Sequence, residues 1–185
     1  ASAQQADTTW NKRSYWVGGT DLVLGGGSVA LLSVVWYKEY PKSKFHTFDD
    51  SNEWLYMDKL GHSYTAYKLS TLNYAAWRWA RMPKKKAVFL SGGIAWTYQL
   101  SVEILDGFSA QWGFSWADLA ANTAGAGLFI GQQLGWDEQR FQLKFGYKPS
   151  PYAAIRPNTL GSNFPERLLK DYNAQSYWLC VAPRT

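Results

Sequence analysis

Asp58 and His62 stand four residues apart, Glu103 and Asp106 three apart, and Asp118 and Asn122 four apart. On an α-helix each spacing puts both side chains on one face. An imidazole among carboxylates and an amide has two chemistries open to it. Oriented by a carboxylate, it serves as an acid/base or a metal ligand. Otherwise it belongs to a hydrogen-bonded polar core that fixes how helices pack. A hydrolytic zinc site draws on more histidines than the two present, His46 and His62. No nucleophile elbow, phosphate loop or dinucleotide fingerprint appears. Gly25, Gly26 and Gly27 lack the strand–turn–helix setting of a phosphate cradle. The preferred reading is a structural polar cluster of Asp58, His62, Glu103, Asp106, Asp118 and Asn122, with no catalytic residue, no metal and no cofactor.

The elements that must carry these residues follow from breakers and caps. Pro41 and Pro83 stop helices. Ser115 with Asp118 reads as a variant of the capping box, and Gly107 suits a left-handed helix end. Helices are expected over residues 20–38, 53–80, 85–108 and 115–135. The first is apolar enough to graze the transmembrane threshold, but Asp21 and its glycines argue for burial within the protein. Asp58 and His62 face one side of the second helix, with Lys59 and Lys68 elsewhere. Gly92 and Gly93 mark a bend or close contact in the third. In the fourth, small residues permit tight packing, while glycines four apart at 127, 131 and 135 match a membrane dimer motif weakly. After Trp136 prolines and glycines accumulate. Short strands over 142–147 and 177–181 and a helical turn over 166–172 are expected there. The fold class is mainly α: about four helices in a compact bundle with an irregular, Pro/Gly-rich C-terminal extension. The divisions are an extended arm over 1–16, a helical domain over 17–136, and a segment over 137–185 packed on that domain or on a partner.

The 185-residue chain is 17% aromatic, with Trp 11, Tyr 12 and Phe 9, and only 18% charged. Soluble domains carry about 25% charged residues. Such a chain has little with which to solvate a large free surface, which points to a protein partner or a membrane face. The net charge of +5 and the run Lys84-Lys85-Lys86 come without a nucleic-acid module, so no nucleic-acid partner is expected. The single cysteine, Cys180, rules out an internal disulfide and reads as a buried, inert thiol. His46 is expected to be an exposed loop residue. Ala1-Ser2-Ala3 resembles the small-residue end of a secretory signal, which implies export.

Three ordered motifs carry a family likeness: Met57-Asp58-Lys59-Leu60-Gly61-His62, then Glu103-x-x-Asp106-Gly107, then Phe114-Ser115-x-x-Asp118-x-x-x-Asn122-x-x-Gly125. With the tail from Lys170 to Leu179, the chain resembles the YfiM-like family of predicted periplasmic lipoproteins over about residues 45–180, and VanZ-like membrane proteins more distantly. It departs from the lipoprotein pattern in having no cysteine near its first residue. Within that family it is similar to Bacteroidetes members that serve as plug subunits of the type 9 secretion translocon. The resemblance implies a non-enzymatic periplasmic protein at the inner face of the outer membrane. Its partners would be the translocon β-barrel and associated subunits, with peripheral membrane contact, and it would plug the periplasmic opening of the barrel. Trp10, Trp16, Phe45, Phe48, Trp54, Tyr172, Tyr177 and Trp178 are the candidate partner contacts. The alternative is a cell-envelope enzyme or lipid-interacting protein that uses the Asp/His/Glu cluster.

Overall fold

A computed structural model describes residues 10–35 and 41–182. The protein is mainly helical, with a compact helical core and a less regular C-terminal region. Three long helices make the core: α3 (Met57–Trp79), α4 (Lys84–Asp106) and α5 (Trp116–Gly135). Each packs on the other two. Small residues set the spacing. A Cβ on Gly125 would run into the Ser63 backbone carbonyl, so α5 lies directly on α3. A Cβ on Gly92 would meet the Ile130 side chain at 2.5 Å, which brings α4 against α5. Gly127, Gly131 and Gly135, by contrast, face open space. Tyr67, Val88 and Phe129 form one apolar centre among these helices. Val17, Trp77, Ala80, Met82 and Ala87 form a second at the α3–α4 turn.

The N-terminal helix departs from the expected pattern in two ways. Residues 1–9 of the expected arm lie outside the described residues, but residues 12–16 are already helical. Asn11 caps them, accepting from the backbone N–H groups of Arg13 and Ser14. α1 (Lys12–Asp21) runs through a π-helical turn (Leu22–Gly26) into α2 (Gly27–Val35). Burial within the protein was expected for this element and is not found. Among its described side chains only Ser14 and Val17 are fully buried. Leu22, Val23, Leu24, Leu31 and Val34 are all exposed. The misreading came from the glycines. Gly19, Gly25, Gly26 and Gly27 look like a close-packing stripe, yet nothing approaches any of them.

Two loops lead to the site. Residues 43–48 run along residues 107–114, with Ser43 N–H donating to Phe108 O and His46 N–H to Gly107 O, both at 2.9 Å. Phe48 N–H donates to Phe114 O, and Phe114 N–H to His46 O, both at 3.0 Å. His46 is thus half-buried and its backbone is clamped. Gly107 is right-handed, with φ −58°, so it is not the left-handed cap expected. It is needed because the Phe45 ring lies where its Cβ would be. The second helix was expected from residue 53. It begins at Met57, because Trp54, Leu55 and Tyr56 form a left-handed turn with φ 51°, 52° and 63°.

In the C-terminal region β1 (Phe141–Tyr147) pairs antiparallel with β2 (Gln175–Val181), Phe141 opposite Val181 and Tyr147 opposite Gln175. Gln132 of α5 anchors β1: its amide accepts from Phe141 N–H at 2.7 Å and donates to Phe141 O at 2.9 Å. Phe145 and Tyr177 pack on Tyr64 of α3. Between the strands lie three short helices, α6 (Tyr152–Ile155), α7 (Pro157–Leu160) and α8 (Phe164–Lys170). Asn163 caps the last, and Pro165 sits in its first turn.

Candidate functional site

The polar side chains of α3, α4 and α5 meet where the helices cross, and a cation stands among them. Lys59 Nζ lies 2.7 Å from Asp50 Oδ2, 2.9 Å from Asp58 Oδ2 and 2.7 Å from Asp118 Oδ1. Lys59 had been assigned to another face. Neighbouring residues on a helix point about 100° apart, but the four-carbon stem of lysine lets its ammonium reach round to the polar face. Asp50, delivered by the 43–50 loop, was not expected at the site either.

Ser115 knits the loops to the helices. Its Oγ accepts from Asp118 N–H at 3.1 Å and donates to Asp50 Oδ1 at 2.6 Å. In a capping box the acid three residues after the cap would return a bond to the cap N–H. Here Asp118 is drawn to Lys59, and Glu103 Oε2 accepts the Ser115 N–H instead, at 3.4 Å. His62 Nδ1 lies 3.1 Å from Asn122 Oδ1, which also accepts from Gln99 Nε2 at 3.0 Å. His62 Nε2 is 3.8 Å from both Asp58 Oδ1 and Asp118 Oδ1. Tyr172 Oη donates to Asp58 Oδ1 at 2.6 Å.

The carboxyls are not equivalent. Burial pushes the Glu103 carboxyl up to about 9, aided by the Asp118 and Asp106 charges, so at neutral pH it keeps its proton. Burial also raises Asp118, against the pull of His62 and Lys59. At Asp58 burial acts upward too, but His62, Lys59 and Tyr172 outweigh it and hold the carboxyl below its ordinary value. Burial alone would lower Lys59. Its bonds to Asp118, Asp50 and Asp58 raise it instead, so it stays charged.

Ligand atoms of Asp58, His62 and Asp118 lie within 4.8 Å of one another, close enough to share a metal ion. The Lys59 ammonium, however, stands between the two carboxylates, where a divalent cation would have to sit. The donor set therefore does not fit a metal while Lys59 is in place.

Glu103, Asp106 and Asp118 line a cavity of about 790 Å³ that opens beside the cluster. Tyr172 and Tyr177, expected to contact a partner, form part of its wall and are half-buried. Phe48 and Trp54 stand at the same cavity and are exposed, as are Trp10, Trp16, Phe45 and Trp178 away from it. Trp10 rests edge-on against Trp77, Phe45 packs on Phe108, and Trp178 lies over Gly146.

The three motifs that carry the family likeness are thus the ones whose side chains meet. Residues 46–130 match a family described as predicted periplasmic lipoprotein (DUF2279). The matched span runs from the clamped loop through α3 and α4 into α5, and so contains the whole cluster except Tyr172. The family description agrees with the periplasmic location expected of the chain. No curated protein and no solved structure matches the chain.

Proposed function

We propose that the protein is a non-enzymatic docking subunit of an outer-membrane protein-secretion translocon of the type 9 kind, seated at the periplasmic opening of its barrel. The observation that carries this reading is the surface helix. Lys12–Val34 is 23 residues long, and its most apolar 18-residue stretch has mean hydropathy 1.4 with only 6% of that stretch buried. At 1.5 Å per residue that stretch offers an apolar ridge about 27 Å long. A bare apolar face of that size marks an attachment surface. The resemblance stated above supplies the translocon as the partner, and the family match supplies the compartment. The carboxylate cluster suits a rigid stopper, because Lys59 ties α3, α5 and the 43–50 loop into one body. Solubilised from its native membrane in mild detergent, the protein should co-purify with an outer-membrane β-barrel. Recovery alone, as a monodisperse monomer, would overturn the reading.

One observation favours the enzyme alternative: a protonated Glu103 and an ionised Asp58 border one cavity, the unequal pair that acid/base chemistry uses. His62→Gln separates the two readings. Under the docking reading it lowers thermal stability by about 1–3 kcal/mol and leaves co-purification intact. Abolition of a lipid- or cell-wall-cleaving activity, at unchanged melting temperature, would favour the enzyme.

A further inference from the structure

The chain is basic overall, with Lys+Arg 19 against Asp+Glu 14. Yet Asp50, Glu53, Asp58, Glu103, Asp106 and Asp118 all line one large cavity, with Lys170 as a basic residue of its wall. Lys59 neutralises part of this set, but it is committed to Asp50, Asp58 and Asp118. Glu103 is outside its reach. Only 1% of Glu103 is exposed, it lines the cavity, and its Oε1 accepts no hydrogen bond. With His62 Nδ1 donating to Asn122 Oδ1, that nitrogen is held 3.5 Å from Glu103 Oε1. A buried carboxyl left unpartnered at one oxygen costs about 1–3 kcal/mol, and it is the sort of group a ligand satisfies. The walls add Trp54, Tyr64, Trp112 and Tyr177, whose ring faces favour cations.

We propose that this cavity binds an organic cation, an alkylammonium or guanidinium group on an apolar stem, with the charged head at Glu103 beside Asp106 and the stem against the aromatic walls. A compact inorganic ion would make no use of the rings, and an anion would meet the charges of Asp106, Asp118 and Asp58 beside Glu103. The inference does not depend on the docking role and survives its failure. It also explains why Glu103 holds its proton. The groups that face it are His62 and Asp58 from α3, Asp106 from its own helix, and Asp118 and the Ser115 N–H from the start of α5. An arriving cation supplies the missing positive charge and drives off the Glu103 proton. Affinity should therefore rise from about pH 6 to about pH 9.

Titration of the full chain by NMR or calorimetry tests this directly. The probes are n-butylammonium and an acetylated, amidated Gly-Arg-Gly peptide, with butyrate and calcium as controls. Saturable binding of either cation is expected, weakened at least about tenfold by Glu103→Gln. Glu103→Gln should fold, because a neutral amide replaces a carboxyl that is already protonated at neutral pH. Asp106→Asn, which should weaken binding about threefold or more, is the second variant should the first not fold. Tighter binding of the peptide assigns the cation to a protein partner, and tighter binding of butylammonium assigns it to a free amine. No saturation by either, equal binding of butyrate, binding of calcium alone, or binding indifferent to both variants would overturn the proposal.

Discussion

Lys59 decides whether the polar cluster holds the fold together or strains it. Three carboxylates point at its ammonium, and burial amplifies both their attraction to it and their mutual repulsion without it. Removing one partner of a buried ion pair costs about 3–5 kcal/mol, because the remaining charge is stranded. Lys59→Met should therefore destabilise the protein by about that much at pH 7. The sign of its pH dependence follows from Asp58 and Asp50, which the fold holds below their ordinary values. Depressed carboxyls stabilise the fold above their unfolded values, and that contribution disappears as pH falls through the folded ones. The gap between wild type and Lys59→Met should thus be widest near neutral pH and close in acid, as followed by urea unfolding at several pH values. A gap that stays constant or widens in acid would mean that Lys59 is not the cluster's counter-charge. In the sequence, Asp58, His62, Glu103, Asp106, Asp118 and Asn122 were read as one group because each pair sits at helical spacing. Lys59 was not, since spacing reports where a Cβ points and not where a long flexible stem ends. Asp50 was hidden for another reason: a loop has no period, and only the strand-like pairing of residues 43–48 with 107–114 brings it in.

The three core helices were legible at the element scale because their ends are written in residues with strong local preferences. Pro83 precedes α4, and Ser115 caps α5 as its side chain required. The start of α3 was missed, since Trp54, Leu55 and Tyr56 adopt left-handed backbone that no local preference supports. Each such residue costs about 1–2 kcal/mol. The turn sets Trp54 at the cavity and starts α3 so that Asp58 and Lys59 fall in its first turn. Where α3 and α5 touch, the requirement is steric. Gly125→Ala must push against the Ser63 carbonyl, which is backbone and cannot rotate away. The substitution should destabilise by about 2–3 kcal/mol although it improves helix propensity. Gly127→Ala, two residues on and facing open space, should be neutral or stabilising. Paired thermal melts of the two variants check this, and equal effects would mean that the helices are not in close contact at Gly125.

The whole molecule divides its apolar surface unequally. α3, α4 and α5 bury theirs against one another, while the helix from Lys12 to Val34 leaves most of its own uncovered. Composition had indicated such a surplus, because a chain with 17% aromatic and 18% charged residues has more to cover than to solvate with. Composition has no address, however, and the surplus had been placed in the aromatic N-terminal arm, the 40–54 loop and the C-terminal segment; Trp10, Trp16 and Trp178 are exposed there, whereas Tyr172 and Tyr177 turn inward. The docking account is tested most directly by a photo-crosslinking residue at Leu24, in the exposed middle of that helix, activated in living cells. The account predicts one dominant adduct, with an outer-membrane β-barrel protein. Adducts with lipid alone, or no adduct, would contradict it.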